Sequence, residues 1–388
     1  MRELEFQAAD WEKTSLGDIC TFRGGNGFKE EYQGQLSGEF PFIKVSDLTL
    51  PGNEKYITDA QNWVSQKTLK TLRANLQPEG AIVFAKVGAA LKLNRRRILT
   101  RPAVIDNNMM AAIPDESRVD TYFLYYFMLT QDLGRFSQES AVPSVNQGHL
   151  SSIEIGLPPL PEQRKIAEIL RTWDEAIEKL EALRATKLRR LRGLSRALFD
   201  RAADDPATVT KPLATLARII KGRQLNKLDI AKGEYPVWNG GMSPSGFHNE
   251  WNTEGGTITV SEGGNSCGFV NLADRRFWLG GHCYALQDLS KVVERDFLFH
   301  SLKAREAEIM RLRVGSGLPN IQRTDFERLS VVVPPRDEQE KIARALTTGN
   351  AELDLLGAEI EALTRQKRGL MQKLLTGEWR VAPEGSGA

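Results

Sequence analysis

Two stretches of the chain carry apolar residues in alternating steps of three and four. The more regular one runs through Ile342, Leu346, Gly349, Leu353, Leu356, Ile360, Leu363, Lys367, Leu370 and Leu374. That spacing gathers them on one helical face and predicts a coiled-coil seam with one polar interruption. The other runs through Ile166, Leu170, Trp173, Ile177, Leu180, Leu183, Leu188, Leu191, Leu194 and Leu198, with a less regular step. Each begins just after a Pro-Pro pair, Pro158-Pro159 or Pro334-Pro335, and proline suits the extended entry and first turn of a helix. Roughly 39 residues at about 1.5 Å each make a rod of about 58 Å. Neither stripe can be buried alone. Two matched stripes in one chain predict that the rods pair with each other, the alternative being dimerisation between chains.

Between the helices the pattern shortens to apolar runs bounded by Gly, Asn and Pro. It predicts strands at 42–45, 81–85, 104–105, 110–113, 257–260, 276–279 and 284–286, and helices at 120–129 and 295–304. The polar stretch 200–210 reads as a linker between halves. The chain is therefore predicted to be α+β.

The two halves repeat each other. LPPLPEQRKIAEIL at 157–170 returns as VPPRDEQEKIARAL at 333–346. A constant spacing of 176 positions pairs Pro158 with Pro334, Pro143 with Pro319, Glu162 with Glu338, Gln163 with Gln339 and Arg189 with Arg365. Upstream the match is looser. Leu16, Ile19, Phe22 and Gly25 correspond to Leu213, Leu216, Ile219 and Gly222, Phe40-Pro41 to Tyr235-Pro236, and the segment from Gly80 to Gly88 to the one from Gly256 to Gly264. The organisation is variable domain, shared helix, variable domain, shared helix.

Composition excludes several classes. With 388 residues, 41% hydrophobic and 26% charged, the chain reads as a soluble protein of more than one domain. No apolar run is long enough to cross a bilayer, and the polar, acidic start at Met1-Arg2-Glu3 does not resemble a signal peptide. Three cysteines imply no disulfide framework. A cytoplasmic location is the expectation. The net charge is only +2, so any nucleic-acid site must be a local concentration of Lys and Arg.

The duplicated Pro-Pro-x-x-Glu-Gln-x-Lys-Ile-Ala-x-x-Leu, with the ending Leu374-Leu375-Thr376-Gly377, resembles the DNA-specificity subunit of type I restriction-modification systems. The resemblance covers nearly the whole chain, tightly in the helices and loosely in the domains. It implies two α+β target recognition domains separated by two long antiparallel coiled-coil helices, in a pseudo-two-fold internal repeat. The implied boundaries are 1–156 and 201–332 for the two domains, 157–200 and 333–377 for the helices, and 378–388 for a tail. Each domain would read one half of a bipartite, asymmetric double-stranded DNA target, with rod length fixing the spacer. The helices would dock two modification (methyltransferase) subunits, and restriction/translocase subunits would join them. The conserved-spacing residues Glu162, Gln163, Lys165 and Ile166, with Glu338, Gln339, Lys341 and Ile342, are the expected docking positions for partner subunits or helices. S-adenosylmethionine, ATP and Mg are expected on the partners, none on this chain.

The residues agree with a chain that is not itself an enzyme. Neither Pro-Pro pair has the polar and aromatic flanks of an amino-methyltransferase loop, and no Gly-x-x-x-x-Gly-Lys-Ser/Thr phosphate cradle occurs. No catalytic or metal-ligating residue is assigned; His282, Cys283 and Cys267 have no standard zinc spacing and read as core thiols. For DNA contact the first domain offers Lys44 and, crowded just after a predicted strand, Lys86, Lys92, Arg95, Arg96, Arg97 and Arg101, the alternative for that cluster being a solvated loop. Lys and Arg neutralise phosphates and can donate to guanine. The second domain offers Lys221, Arg223, Lys227, Asn239, Arg275 and Arg276. A third basic run, from Arg184 through Lys187, Arg189, Arg190 and Arg192 to Arg196, lies on the first helix and suits spacer DNA, an acidic partner face or plain solvation equally. The rival readings are a coiled-coil scaffold binding only proteins, and a stand-alone DNA methyltransferase or nuclease.

Overall fold

The computed structural model describes residues 6–136, 143–226, 230, 233–315 and 319–382. Its contacts divide into two compact units, Met1–Lys179 with Ile360–Ala388, and Leu180–Glu359. Each long helix therefore contributes one part to each unit.

The first unit runs β1 (Glu12–Ser15), α1 (Leu16–Ile19), β2 (Cys20–Gly24), β3 (Phe40–Ile43), β4 (Tyr56–Ile57), β5 (Trp63–Val64), α2 (Gln66–Leu72), β6 (Ile82–Ala85), α3 (Ala89–Lys92), β7 (Arg96–Leu99), β8 (Val104–Ile105), β9 (Met109–Pro114), α4 (Thr121–Thr130), α5 (Gln147–Ser151) and β10 (Glu154–Leu157). It then enters the long helix α6 (Leu160–Ala203). The main sheet has the order β2-β9-β6-β7-β4, a three-stranded sheet has β5-β3-β8, and β1 pairs with β10. Alternation explains why β6 and β9 read as unbroken apolar runs. Ile82, Phe84, Met110 and Ala112 face a core shared with α4, whereas Val83, Ala85, Met109 and Ala111 face a second core on the other side. A strand buried on both faces has no polar positions to show.

The second unit repeats the plan with β11 (Val209–Pro212), β12 (Arg218–Lys221), β13 (Tyr235–Trp238), β14 (Phe247–His248), β15 (Thr257–Ser261), β16 (Val270–Ala273), β17 (Trp278–Leu279), β18 (Cys283–Gln287), α7 (Arg295–Ala304), α8 (Glu306–Arg311), β19 (Arg313–Val314), β20 (Asn320–Ile321), α9 (Arg323–Glu327) and β21 (Ser330–Val333), before the long helix α10 (Arg336–Thr376). Its main sheet, β12-β18-β15-β16, matches β2-β9-β6-β7 strand for strand. The parallel pair β3 with β8 returns as β13 with β17, and β1 with β10 returns as β11 with β21.

Helices α6 and α10 span 44 and 41 residues, about 66 and 62 Å at about 1.5 Å per residue. Within the first unit Asp174 of α6 bonds Lys367 of α10. Within the second, Arg184 Nε donates to Leu353 O at 3.2 Å, Lys187 reaches Glu352 at 2.8 Å and Arg201 bonds Glu338. Partner numbers fall as α6 numbers rise, so the pairing is antiparallel. The chain is thus α+β, two repeated α+β domains with two long helices that pair antiparallel.

Two expectations are corrected. The stretch 200–210 is not a free linker: α6 continues through Ala203, and Val209 already opens the strand paired with β21. The seam of α6 also departs from the reading that used Leu183 and Leu194, which are 44% and 45% exposed. Contact passes instead through Arg184, Lys187 and Leu191, which keep the three-four step that Leu183 and Leu188 break.

Candidate nucleic-acid interface

A buried glutamine ties each domain to its helix, beside the apolar packing of Ile166 and Leu170 in one unit and Ile342 and Leu346 in the other. Gln163 is wholly buried; its Oε1 accepts from Asp120 N at 2.8 Å, and its Nε2 donates to Arg118 O at 3.0 Å and Pro158 O at 2.8 Å. Gln339 does the same with Glu294 N, Val292 O and Pro334 O at 2.7, 2.9 and 2.8 Å. Asp120 and Glu294 in turn cap α4 and α7 with their carboxylates, as acidic N-caps do. Domain, short helix and long helix therefore meet at one hydrogen-bonded point in each unit.

The main sheet leaves this point at the Pro114 end of β9 and presents its other end to solvent. There the chain after β6 packs against the chain before α5. Gly88 N donates to Pro143 O at 2.8 Å, Val145 N to Lys86 O at 3.0 Å and Lys86 N to Asn108 O at 2.9 Å. The second unit rebuilds the frame: Gly264 N to Pro319 O at 3.1 Å, Ile321 N to Glu262 O at 2.8 Å and Glu262 N to His282 O at 2.9 Å. Gly88 and Gly264 both sit at positive φ, 76° and 74°, a conformation glycine adopts without penalty. In the first unit the frame borders a cleft of about 520 Å³ lined by Gly24, Lys86, Ser144, Asn146, Gln147 and Gly148 among others.

The predicted basic residues divide over this architecture. Lys86 sits in the cleft, its ammonium with no hydrogen-bonding or ionic partner among the described residues. Lys92 and Arg95 lie in the connection from β6 to β7, at the same sheet end. Lys44 follows β3 at the end where Ile43 O accepts from Asp106 N, and its Nζ bonds Gln33. In the second unit Lys221, Arg223 and Asn239 reach the equivalent end: Lys221 Nζ bonds Glu262 Oε1 at 2.6 Å, and Asn239 Oδ1 accepts from His282 N at 3.2 Å. Lys227 lies outside the described residues.

Three groups do not join them. Arg96 is a correction: it is 1% exposed, packs over Phe84, and donates from Nη2 to Asn94 Oδ1 and Gln131 O. Desolvation pushes its pKa down to about 9. It belongs to the core and has no surface for DNA. Arg97 is half-buried, with Nη2 on Leu48 O. Arg101, Arg275 and Arg276 stand at the opposite sheet end, past β7 and β16, with Arg101 over Trp63 and Arg276 over Trp251.

The residues expected to dock partner subunits or helices are largely occupied inside their own unit. Gln163, Gln339, Ile166 and Ile342 have at most 1% exposure. Glu162 is bridged by Arg380, which also bonds Asp10. Glu338 bonds Arg201, Lys165 bonds Glu168, and Lys341 reaches Asp337. Of the basic run on α6, Arg184, Lys187 and Arg189 have partners, while Arg190, Arg192 and Arg196 are exposed.

The sequence reading missed Ser144, Asn146, Gln147, Glu262, Asn320 and Gln322. The constant spacing from Pro143 to Pro319 marked their loops, but nothing local places those loops against β6 and β15. It also missed an ionic cluster in the first unit. Asp174 takes hydrogen bonds from Lys55 Nζ at 2.8 Å, Tyr126 Oη at 2.5 Å and Lys367. Burial alone would raise its carboxyl, but these bonds outweigh burial and hold it below the usual carboxylate range. Cys267 and Cys283 are buried as expected, and burial pushes the Cys283 thiol up to about 12.

Known proteins share this arrangement. The chain is 33% identical over 169 residues to a type I specificity subunit of Mycoplasma pneumoniae, a match spanning 43% of this chain and 45% of that protein. It is 24% identical over 422 aligned residues to the MjaX type I restriction enzyme specificity subunit of Methanocaldococcus jannaschii, covering 96% and 94% of the two chains. The type I restriction-modification S subunit of M. genitalium has the same fold, with a TM-score of 0.66 at 18% identity over 94% of this chain and 96% of that one. The family model for the type I restriction modification DNA specificity domain matches twice, at residues 8–186 and 208–365. On that double match, one for each repeat, the chain belongs to the type I restriction-modification DNA specificity family.

Proposed function

We propose that this chain is the DNA-reading, non-catalytic subunit of a type I restriction-modification complex in the cytoplasm, and that each domain reads one half of a bipartite, asymmetric duplex target. The domains are taken as 1–156 and 201–332, the spacer helices as 157–200 and 333–377, and the tail as 378–388. The observation that carries the reading is the frame built twice at the outer end of the main sheet. Identical backbone bonds hold Lys86 in one unit and Glu262 in the other, beside Lys92 and Arg95 or Lys221 and Arg223. Phosphate contacts from the lysines and arginines supply affinity, and side chains at the frame supply sequence preference.

The paired helices serve as the docking surface for two modification subunits and, through them, restriction subunits, which bring S-adenosylmethionine, ATP and Mg. The exposed Leu183, Leu194 and Leu355 suit such a surface better than the Glu-Gln-x-Lys-Ile residues, whose side chains already have partners.

The test is selection of duplexes from a random pool by the chain, alone and with its methyltransferase partner, over a salt series. Two short sequence elements at a fixed spacing, with affinity falling steeply as salt rises, are the expected result. Binding without sequence preference, or a flat absence of binding in both arms, would leave a protein-only scaffold as the better account.

A further inference from the structure

We propose that Lys86 and Glu262 are repeat-equivalent base-reading groups of opposite charge, so that the two domains demand opposite hydrogen-bonding character from the base edge each meets at this position. The inference deepens the DNA-reading assignment and rests on it.

The equivalence is structural. Lys86 and Glu262 lie 176 positions apart, the spacing of the long helices, and both are fixed by the same three backbone contacts: an amide bond to the chain before β9 or β18, a carbonyl bond from Val145 or Ile321, and the bridge of the next residue to Ser144 or Asn320. Their side chains leave the same point of the same frame. The residue that ends the strand beyond β9 or β18 changes with them. Gly24 ends β2 and Lys221 ends β12. In the first unit the bare glycine leaves room for the Lys86 ammonium, which lies 3.3 Å from where a Cβ on Gly24 would stand. In the second, Lys221 fills that side and its ammonium meets Glu262 Oε1 at 2.6 Å, with Tyr284 Oη donating to the same oxygen at 3.1 Å.

The chemistry then differs. Lys86 offers only donors, with no carboxylate partner among the described residues, in a cleft whose other described polar groups come from Ser144, Asn146 and Gln147. Donors of this kind match the paired acceptors O6 and N7 of guanine. Glu262, its side chain 8% exposed, has no partner for Oε2 among the described residues, and Lys221 is half-exposed beside it. A carboxylate acceptor matches an exocyclic amino group, N4 of cytosine or N6 of adenine, and Lys221 supplies a donor for the adjoining acceptor. The second site is close to neutral, so it does not add a charge to the phosphate-binding sum.

Duplex selection with the complex that holds this chain tests the idea using Lys86→Gln, Glu262→Gln, and the transplant Gly24→Lys with Lys86→Glu. Lys86→Gln is expected to lose about 5- to 100-fold in discrimination at one position of one half-site, leaving the other half-site intact. Glu262→Gln does the reverse. The transplant is expected to convert the guanine preference in the first half-site to a base presenting an amino group. A uniform loss over all duplexes, with a salt slope reduced by about one, makes Lys86 a phosphate contact and overturns the inference while leaving DNA reading intact. Unchanged selection by both single variants, with unchanged thermal unfolding, overturns it equally. If the parent complex selects no sequence, the DNA-reading assignment itself fails and takes this inference with it.

Discussion

Gln163 and Gln339 make a test with an internal control. Gln163→Ala removes three hydrogen bonds and strands the Asp120 amide and the carbonyls of Arg118 and Pro158. The site is fully buried, so the stranded groups lose solvent as an alternative partner. A buried group left unsatisfied costs about 1–3 kcal/mol. Water entering the vacated space can serve some of the three, which places the loss at about 3–6 kcal/mol, a large share of the roughly 5–15 kcal/mol of a typical domain. Gln339→Ala strands the equivalent groups in the second unit and is expected to cost a similar amount. Amide hydrogen exchange separates the two. In Gln163→Ala the amides of Asp120, Tyr122 and Phe123 should exchange faster while those of Glu294 and Phe297 keep their protection, and Gln339→Ala should reverse the pattern. Denaturant midpoints supply the magnitude. If both variants unfold at the parent midpoint and Asp120 still exchanges slowly, the glutamine is incidental and something else fixes the domains to the helices.

Asp174→Ala leaves the ammoniums of Lys55 and Lys367, 12% and 16% exposed, without their counter-ion, and should destabilise the first unit by about 3–5 kcal/mol. Since the folded carboxyl is held below its ordinary value, its stabilisation is complete above about pH 4 and fades as pH falls through the lower folded value; acid unfolding of Asp174→Asn should lack this component, and identical acid profiles would refute it. A Cβ at Gly25 would lie 2.0 Å from Asp106 O, and one at Gly222 2.2 Å from Gly280 O, so alanine at either should cost about 1–3 kcal/mol or more by thermal unfolding, whereas Gly27→Ala, with open space around it, should cost little. Arg96→Ala should lower the unfolding midpoint through lost packing, by about 2–5 kcal/mol, while Arg95→Ala leaves the midpoint alone and weakens DNA binding; equal effects on binding with unchanged stability would place Arg96 at the surface after all.

The long helices were the most legible feature, because their signal is a period sustained over some forty residues and stated twice. Helix 295–304 was placed to the residue, since Glu294 caps it and the apolar pattern fills one face. The strands β6, β9, β15 and β18 showed as apolar runs, but their order in the sheet did not, because pairing partners lie far apart in sequence. The run of three arginines at 95–97 misled for a physical reason: it spans the entry to β7, where alternation sends neighbouring side chains to opposite faces, so Arg95 and Arg96 cannot share a surface. Leu183 and Leu194 misled for a similar one. Apolar residues are common on exposed helix faces, and here Arg184 and Lys187 make the contacts, to Leu353 O and to Glu352.

The two copies also separate framework from reading positions without any alignment of other proteins. Where the side chain meets the chain's own backbone, the copies agree: glutamine at 163 and 339, glycine at 25 and 222, glycine at 88 and 264. In each case the geometry admits one residue type, by three fixed hydrogen bonds, by a carbonyl at about 2 Å, or by a positive φ. At the outer end of the sheet, where the same frame faces outward, the copies disagree in chemistry and not merely in size: Lys44 against Asn239, Gly24 against Lys221, Lys86 against Glu262, Asn108 against His282. The two changes go together: Gly24 lies beside the Lys86 ammonium in one unit, and Lys221 bonds Glu262 in the other. Constancy against the chain's own backbone and coupled divergence at the exposed frame are what a duplicated scaffold must acquire if its copies are to recognise different stretches of one ligand.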